Sequence, residues 1–192
     1  MNEIAGEVRV CVKCPLWHGR RYAVPGEGDI EANVVFIGEA SGYWEDAKGL
    51  PFVGAAGKIL DTLLEKIGLL RENVFITNVV KCRPPRNREP QPLEITTCTE
   101  LYLNRQITLI QPKIIVTLGR HSTTYILSKA GLNVQSITRQ HGRVYDIKFL
   151  NIAISVFPTY HPASGLHNPK YRDELENDFQ VLKTELQKRQ II

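Results

Sequence analysis

The sequence predicts a single-domain, three-layer α/β/α sandwich, in which helices cover both faces of a central four-stranded parallel sheet. Short, largely apolar runs alternate along the chain with longer amphipathic segments. Wholly apolar strands are typical of sheets buried on both faces, and strands separated by helices usually pair in parallel. The 192 residues contain no repeat, linker or low-complexity tract, so we expect one domain over residues 1–192.

The first half of the chain carries two predicted strands and one predicted helix. Residues 34–37 (VVFI) form an apolar run that is typical of a buried strand. Between residues 55 and 67 the apolar positions share one helical face, and Gly68 follows as a C-terminal cap. Residues 74–80 form the second predicted strand. The glycine-rich segment 38–54 is interpreted as a loop.

The second half repeats the alternation of strands and helices. The predicted strands lie at residues 113–118 (KIIVTL) and 151–156 (NIAISV). The predicted helices lie at residues 93–111, 120–130 and 172–188. Residues 132–150 are interpreted as irregular or short antiparallel structure.

Composition and charge narrow the class of protein. No apolar run approaches the roughly 20 residues that a membrane-spanning helix needs, and the N-terminus lacks the apolar core of a secretion signal. We therefore expect a cytoplasmic protein without a membrane contact. The net charge of +4 permits nucleic-acid binding, and basic residues cluster within residues 81–88, at Lys81, Arg83, Arg86 and Arg88. From charge alone, a solvated basic loop is the better explanation of this cluster.

The four cysteines indicate a metal centre more strongly than a disulfide framework, which is rare in a reducing cytoplasm. Cys11 and Cys14 have metal-ligand spacing, whereas Cys82 and Cys98 are separated by fifteen residues. Zinc ribbons usually contain a second tight pair, and a [4Fe–4S] cluster accepts more varied ligand spacing. Four independent small buried residues are the alternative, and for Cys82 and Cys98 taken alone it is the better one.

Polar residues accompany each predicted strand exit, and ligand sites in parallel sheets lie beyond the carboxyl ends of the strands. The first strand leads into GEASGYWED at residues 38–46, and the second contains Asn78. Residues 119–121 (GRH) follow the third strand, and residues 160–163 (YHPA) follow the fourth. Phe52, in a loop constrained by glycine and proline, is either a core residue or a stacking platform for a planar ligand. The sequence contains neither a glycine-rich nucleotide-binding motif nor a serine nucleophile elbow.

Five segments of the chain together carry a family resemblance. They read GEASGYWED at 38–46, GLPFVG at 49–54, GKILD at 57–61, TNVVKCRPP at 77–85 and HPA at 161–163. In these segments and in its cysteine positions the chain resembles the family 4, iron–sulfur uracil-DNA glycosylases, from about residue 11 to the last predicted helix. The resemblance implies a DNA-repair hydrolase that flips uracil out of DNA, hydrolyses its N-glycosidic bond and leaves an abasic site.

The resemblance also implies a base pocket. Phe52 would stack on the flipped uracil, and Asn78 would hydrogen-bond its Watson–Crick edge, because an amide supplies both a donor and an acceptor. Glu45 would crowd position 5 of the base and so exclude the methyl group of thymine. Glu39 and Ala40 would complete the lining.

Catalytic roles follow for two of the residues. His161 would hydrogen-bond the uracil oxyanion that develops as the bond breaks. Glu39 would orient the attacking water, although holding the turn through backbone N–H groups explains this residue almost as well. Ala40 occupies the position at which better-known uracil glycosylases have an aspartate. A related group bonds covalently to uracil through a histidine in the basic loop, and residues 81–88 hold no histidine, so we expect no covalent intermediate.

DNA contacts and a cofactor complete what the resemblance implies. The basic residues of the 81–88 loop would contact phosphates, and Ser164 and Leu166 would enter the minor groove, with Leu166 as the wedge. Ser41 replaces the usual proline, for which we expect a minor effect. A structural [4Fe–4S] cluster would be held by Cys11, Cys14, Cys82 and Cys98.

The expected partner is uracil-containing DNA, single- or double-stranded, bound by a monomer. Residues 187–192 (QKRQII) match a sliding-clamp docking tail too loosely to assign one. Three alternatives stay open. A glycosylase of broader scope would act on other deaminated bases, but the family 5 motif lacks the acid found here at Glu39. A non-catalytic, metal-stapled nucleic-acid binder would leave Asn78 and His161 at the strand exits by coincidence, and a redox protein would use the cluster.

Overall fold

The structure is a computed structural model that describes residues 1–192, apart from the side chain of His167. Its strands are β1 (Glu27–Gly28), β2 (Val34–Gly38), β3 (Phe75–Asn78), β4 (Ile114–Leu118), β5 (Tyr145–Phe149) and β6 (Ile152–Thr159). They form one six-stranded sheet in the order β1-β3-β2-β4-β6-β5. The four central strands are parallel to one another and correspond to the four predicted strands.

The two edge strands, β1 and β5, run antiparallel to their neighbours and were not among the predicted strands. Strand β1 has only two residues, too few to produce a pattern. Strand β5 lies within the segment expected to be irregular or antiparallel, and its residues are mostly half-buried or exposed. It forms a hairpin with β6 through Leu150 and Asn151, whose φ angles of 50° and 65° are typical of a two-residue type I′ turn.

Helices separate the parallel strands as predicted. They are α1 (Asn2–Val10), α2 (Tyr43–Lys48), α3 (Ala55–Lys66), α4 (Pro92–Cys98), α5 (Asn104–Ile110), α6 (Arg120–Lys129), α7 (Ile137–Gln140), α8 (Ser164–His167) and α9 (Pro169–Lys188). The helix predicted at 93–111 is α4 and α5, joined by a π-helical stretch at Thr99–Leu103. None of the helices in the described part of the chain is long and apolar enough to cross a membrane.

The sheet carries a hydrophobic core on each face, so the predicted three-layer α/β/α architecture is confirmed. Along β2, Val34 and Phe36 pack with residues of α3 and α9, whereas Val35 and Ile37 pack with residues of α1, α5 and α6. Successive side chains of a strand point to opposite faces, and both faces are covered here. This explains why the central strands are apolar without alternation.

The carboxyl ends of the neighbouring strands β2 and β3 lie side by side, and Gly38 is in register with Asn78. A Cβ atom on Gly38 would lie 2.4 Å from Asn78 Oδ1 and 2.7 Å from Phe52 Cζ. Glycine is therefore required at this strand exit, because a methyl group would displace two of the predicted pocket residues.

Candidate active site

A cavity of about 360 Å³ opens at the carboxyl end of the parallel strands. It is lined by all six residues that the sequence assigned to a base pocket, namely Glu39, Ala40, Glu45, Phe52, Asn78 and His161. These residues come from the exits of β2, β3 and β6, from α2 and from the segment that precedes α3. The volume suits one planar heterocycle with part of its sugar.

The ring of Phe52 forms one wall of the cavity. The residue is buried with φ at +50°, a conformation that is uncommon outside glycine and costs on the order of 1 kcal/mol or more. Its ring stacks with His161 at a centroid distance of 5.6 Å and an interplanar angle of 29°. Glu45 holds the loop in place, because its Oε1 accepts hydrogen bonds from Val53 N and Gly54 N, both at 2.9 Å.

Two buried polar atoms in the cavity wall have no hydrogen-bond partner among the residues that the structure describes: Asn78 Oδ1 and Ser41 Oγ. A buried polar atom without a partner costs about 1–3 kcal/mol. Such atoms are rare and call for an explanation, and a ligand with a matching donor supplies one for Asn78. Ser41 was expected to have only a minor effect, and its hydroxyl is an additional polar group of the cavity.

His161 is held as a neutral hydrogen-bond donor. Burial lowers the pKa of its imidazole to about 4, against a smaller opposing effect of the nearby Glu45 carboxylate. Its Nδ1 accepts a hydrogen bond from Ala163 N at 3.1 Å. In a neutral imidazole whose Nδ1 is an acceptor, the proton is on Nε2. His161 therefore presents an N–H group at physiological pH without carrying a charge.

Glu39 is half-buried and is accompanied by a residue to which the sequence analysis gave no role. His121 Nε2 lies 3.6 Å from Glu39 Oε2 and 3.5 Å from Glu89 Oε1. Burial raises the pKa of the Glu39 carboxyl, and so does Glu89, whereas His121 and Arg120 lower it. The signal for His121 was its position directly after a predicted strand, but no sequence pattern connects it to Glu39.

Lys81 requires a correction. Its Nζ is buried and donates hydrogen bonds to Thr77 Oγ1 at 2.6 Å, Gln106 Oε1 at 2.7 Å and the carbonyl oxygen of Asn78 at 2.8 Å. The predicted phosphate contact is wrong, because this ammonium group is enclosed by protein. Burial lowers its pKa to about 8. Lys81 instead braces the exit of β3 against the helical layer.

The three arginines of the basic loop reach the surface to different extents. Arg86 is exposed. Arg83 lies over the ring of Tyr43 at 5.2 Å and donates to Asn87 Oδ1. Arg88 lines the cavity, but its two Nη atoms bind the buried carboxylate of Glu94 at 2.9 and 2.6 Å. Arg83 and Arg86 can therefore make contacts outside the protein, whereas the guanidinium group of Arg88 is engaged by Glu94.

Ser164 and Leu166 lie in α8, which begins three residues after His161. The backbone N–H of Ser164 donates to the carbonyl oxygen of His161 at 2.8 Å. Leu166 is 43% exposed. This short helix therefore places an exposed leucine close in sequence to the cavity wall.

The four cysteines surround a second, small cavity together with Arg20 and Tyr102. None is in a disulfide bond. Arg20 Nη1 donates to Cys82 Sγ at 3.1 Å, and Lys81 N donates to Cys98 Sγ at 3.2 Å. Within the described residues, no three Cys, His, Asp or Glu side chains are close enough to hold a single metal ion. Four converging thiols with N–H donors to sulfur fit a larger, multinuclear thiolate-bound group.

The chain is similar in sequence to known proteins of one superfamily. Residues 25–183 match the model of the uracil DNA glycosylase superfamily. A type-4 uracil-DNA glycosylase of Sulfurisphaera tokodaii is 56% identical over 95% of this chain and 83% of its own. One of Saccharolobus solfataricus is 53% identical over 100% of this chain and 88% of its own. A type-5 uracil-DNA glycosylase of Thermus thermophilus is 32% identical over 76% of this chain and 71% of its own.

Proposed function

Because this chain belongs to the uracil-DNA glycosylase superfamily, we propose that it removes uracil from DNA by hydrolysing the N-glycosidic bond, which leaves an abasic site. The observation that carries the assignment is the buried Oδ1 of Asn78, which has no hydrogen-bond partner among the described residues and belongs to a residue that lines the same cavity as Phe52 and His161. This arrangement matches a flat ligand with a ring N–H group. Uracil must leave the base stack to enter such a cavity.

Base recognition rests on Asn78 and Phe52. The Oδ1 of Asn78 accepts the N3–H of uracil while its amide N–H₂ donates to O4, and Phe52 stacks on the ring. Cytosine has an acceptor at N3 and a donor at position 4, so it would leave the buried amide mispaired. Sites built around such a polar group reject the mismatched base by as much as about 10⁴-fold. Glu45, beside the ring, would exclude the 5-methyl group of thymine.

The chemistry separates an oxocarbenium-like sugar from a uracil anion. His161 Nε2–H donates to the oxygen on which the negative charge develops, and the low pKa of the imidazole keeps it neutral, so it stabilises the anion without transferring its proton. A preorganised donor of this kind typically contributes about 10²–10³ in rate. The proton that uracil gains after release comes from solvent.

Glu39 is proposed to orient the attacking water. The water oxygen bonds to C1′ of the sugar, and a carboxylate beside it accepts the departing proton. Ala40 offers no polar side chain for this role, whereas Glu39 lines the cavity and is paired with His121. The basic loop contains no histidine to form a covalent bond to the sugar or base, so turnover is proposed to be direct hydrolysis.

The thiols are proposed to hold a [4Fe–4S] cluster, which would crosslink the segments that carry them. The ligands would be Cys11, Cys14, Cys82 and Cys98. Cys82 directly precedes the exposed part of the basic loop, and Cys11 caps α1. The cluster would therefore fix the loop to the N-terminal helix.

For DNA binding we propose phosphate contacts by Arg83 and Arg86, with Arg88 at the cavity rim. Leu166 would fill the space that the flipped nucleotide vacates, and Ser164 would support the backbone beside it. We propose that a monomer makes these contacts.

The test is base release from oligonucleotides that contain one uracil, thymine or hypoxanthine, followed by alkali to cleave abasic sites. We expect cleavage at uracil only, and its loss in Asn78→Ala and His161→Ala. Asn33→Ala is the matched control, because Asn33 is exposed and lies at the opposite end of β2. Failure to release any base by protein that retains its cluster absorbance would refute the proposal. Release of hypoxanthine would favour the broader glycosylase.

A further inference from the structure

Two aromatic side chains at the start of α2 are exposed beside the cavity. Tyr43 is 53% exposed and Trp44 is 56% exposed. Their rings contact each other edge to face, with centroids 5.2 Å apart and an interplanar angle of 85°. Isolated exposed apolar residues are ordinary, but an exposed, ordered tyrosine–tryptophan pair suggests a surface that binds another flat group.

The pair is fixed to the mouth of the cavity. Gly42 precedes it, Glu45 follows it, and both line the cavity. Trp44 also borders the loop that carries Phe52, since a Cβ atom on Gly54 would lie 3.4 Å from Trp44 Cδ1. Because Glu45 binds the backbone N–H groups of that same loop, the position of the indole is tied to the wall of the pocket.

A positive charge accompanies the two rings. The guanidinium group of Arg83 lies 5.2 Å from the centroid of Tyr43, within the range of a cation–π contact. Only its Nε is engaged by a hydrogen bond from the described residues, to Asn87 Oδ1 at 2.8 Å. The guanidinium group therefore covers the ring of Tyr43, and the indole of Trp44 is the ring more available for contact with a ligand. An aromatic face beside an arginine is the combination with which proteins hold unpaired nucleotides.

We propose that Trp44, supported by Tyr43 and Arg83, is a stacking platform for a base next to the flipped uridine, and that it makes single-stranded DNA the favoured substrate. Bases in a duplex are already stacked on both faces, whereas a single strand offers free faces to an indole. Arg83 would contact the phosphate of the stacked nucleotide. The proposal rests on the uracil-excising function but assigns to it a contact outside the base pocket and a preferred form of DNA.

The test compares two variants at one position. Trp44→Leu keeps apolar bulk but removes the aromatic face, whereas Trp44→Phe keeps an aromatic face. Leu50→Ala is the matched control, because Leu50 is an exposed apolar residue, 41% accessible, in the same segment. Binding is measured by fluorescence anisotropy with a single strand and with its duplex, both without uracil, so that catalysis does not interfere. Thermal unfolding of each variant checks the fold.

We expect Trp44→Leu to bind the single strand roughly 5- to 150-fold more weakly, the effect of losing one stacked base. Its affinity for the duplex should change less than about 3-fold, and Trp44→Phe and Leu50→Ala should bind both forms nearly as the unmodified protein does. Trp44→Leu binding the single strand as tightly as the unmodified protein would overturn the proposal. So would an equal loss of affinity for both forms.

Intrinsic fluorescence gives an independent readout. The chain has two tryptophans, so Trp17→Phe leaves Trp44 as the sole indole. Saturable quenching of its emission by the uracil-free single strand supports stacking, and unchanged emission at saturating DNA refutes it. If the protein released no uracil but Trp44→Leu still lost single-strand affinity, the platform would stand and only the assigned reaction would fall.

Discussion

The buried oxygen of Asn78 predicts that one substitution, Asn78→Ala, lowers activity without lowering stability. No described residue donates to this buried atom, and a buried acceptor without a donor contributes an unfavourable term of about 1–3 kcal/mol. Asn78→Ala removes that term, and the small void it leaves joins an existing cavity. We expect the free energy of unfolding to rise by about 1 kcal/mol or stay unchanged, equivalent to an increase in Tm of at most about 4 °C.

Activity should fall in the same variant by at least about 10³-fold, because the only residue proposed to read the Watson–Crick edge is lost. The assays are thermal unfolding of the cluster-containing protein and single-turnover cleavage of a uracil oligonucleotide. Thr77→Val is the comparison, since Thr77 precedes Asn78 in the same strand and its hydroxyl is fully engaged, with Pro25 O at 3.1 Å and Lys81 Nζ at 2.6 Å. That variant should lose about 1–3 kcal/mol. A similar loss of stability in Asn78→Ala would show that the amide is a structural group and refute the reasoning.

Three further predictions concern charge and proton state. His161→Gln should lower the single-turnover rate about 10²–10³-fold. In the unmodified protein, ¹⁵N NMR of the imidazole should show the neutral form down to about pH 5, because its pKa is about 4. His121→Ala removes a group that lowers the pKa of Glu39, so the acidic limb of the pH–rate profile should move to higher pH, with little change in rate near pH 8.5. Arg86→Gln should reduce the slope of log Kd against log salt by about 1, whereas Lys81→Met should leave that slope unchanged and lower Tm.

Each of these three predictions has an outcome that would contradict it. Imidazolium signals for His161 near pH 6 would show that burial does not hold it neutral. An unmoved acidic limb in His121→Ala would show that Glu39 is not the group that must be ionised. A reduced salt slope in Lys81→Met would mean that this ammonium reaches DNA after all.

The central strands were predictable because each is buried on both faces and therefore largely apolar. The edge strand β5 was not, since only one of its residues, Phe149, is fully buried. Helix α2 was interpreted as loop because it has six residues, of which only Asp46 is buried, so it shows no apolar face. The hydrophobic pattern of a segment predicts its structure where the whole segment is buried, and it fails where the segment is short or only partly buried.

The candidate site also contains residues that the sequence predicted and residues that it did not. The sequence analysis assigned Asn78 and His161 to the exits of two different strands, and the structure places both in one cavity. It did not pair His121 with Glu39, because they follow different strands and meet only in space. Lys81 was misassigned for the converse reason. A cluster of basic residues in the sequence does not reveal which of their side chains points inward. The ammonium group of Lys81 donates to three oxygen acceptors inside the protein.

The two hydrogen bonds that Glu45 makes to the Phe52 loop bear on how such an enzyme can evolve. The carboxylate proposed to exclude thymine is also the one that holds the stacking ring in its left-handed conformation. A single substitution that makes room for a methyl group would therefore also release the ring that grips the base. An enzyme that removed thymine would damage every A·T pair in a genome. Because one side chain serves both tasks, exclusion of thymine is coupled to the placement of the stacking ring.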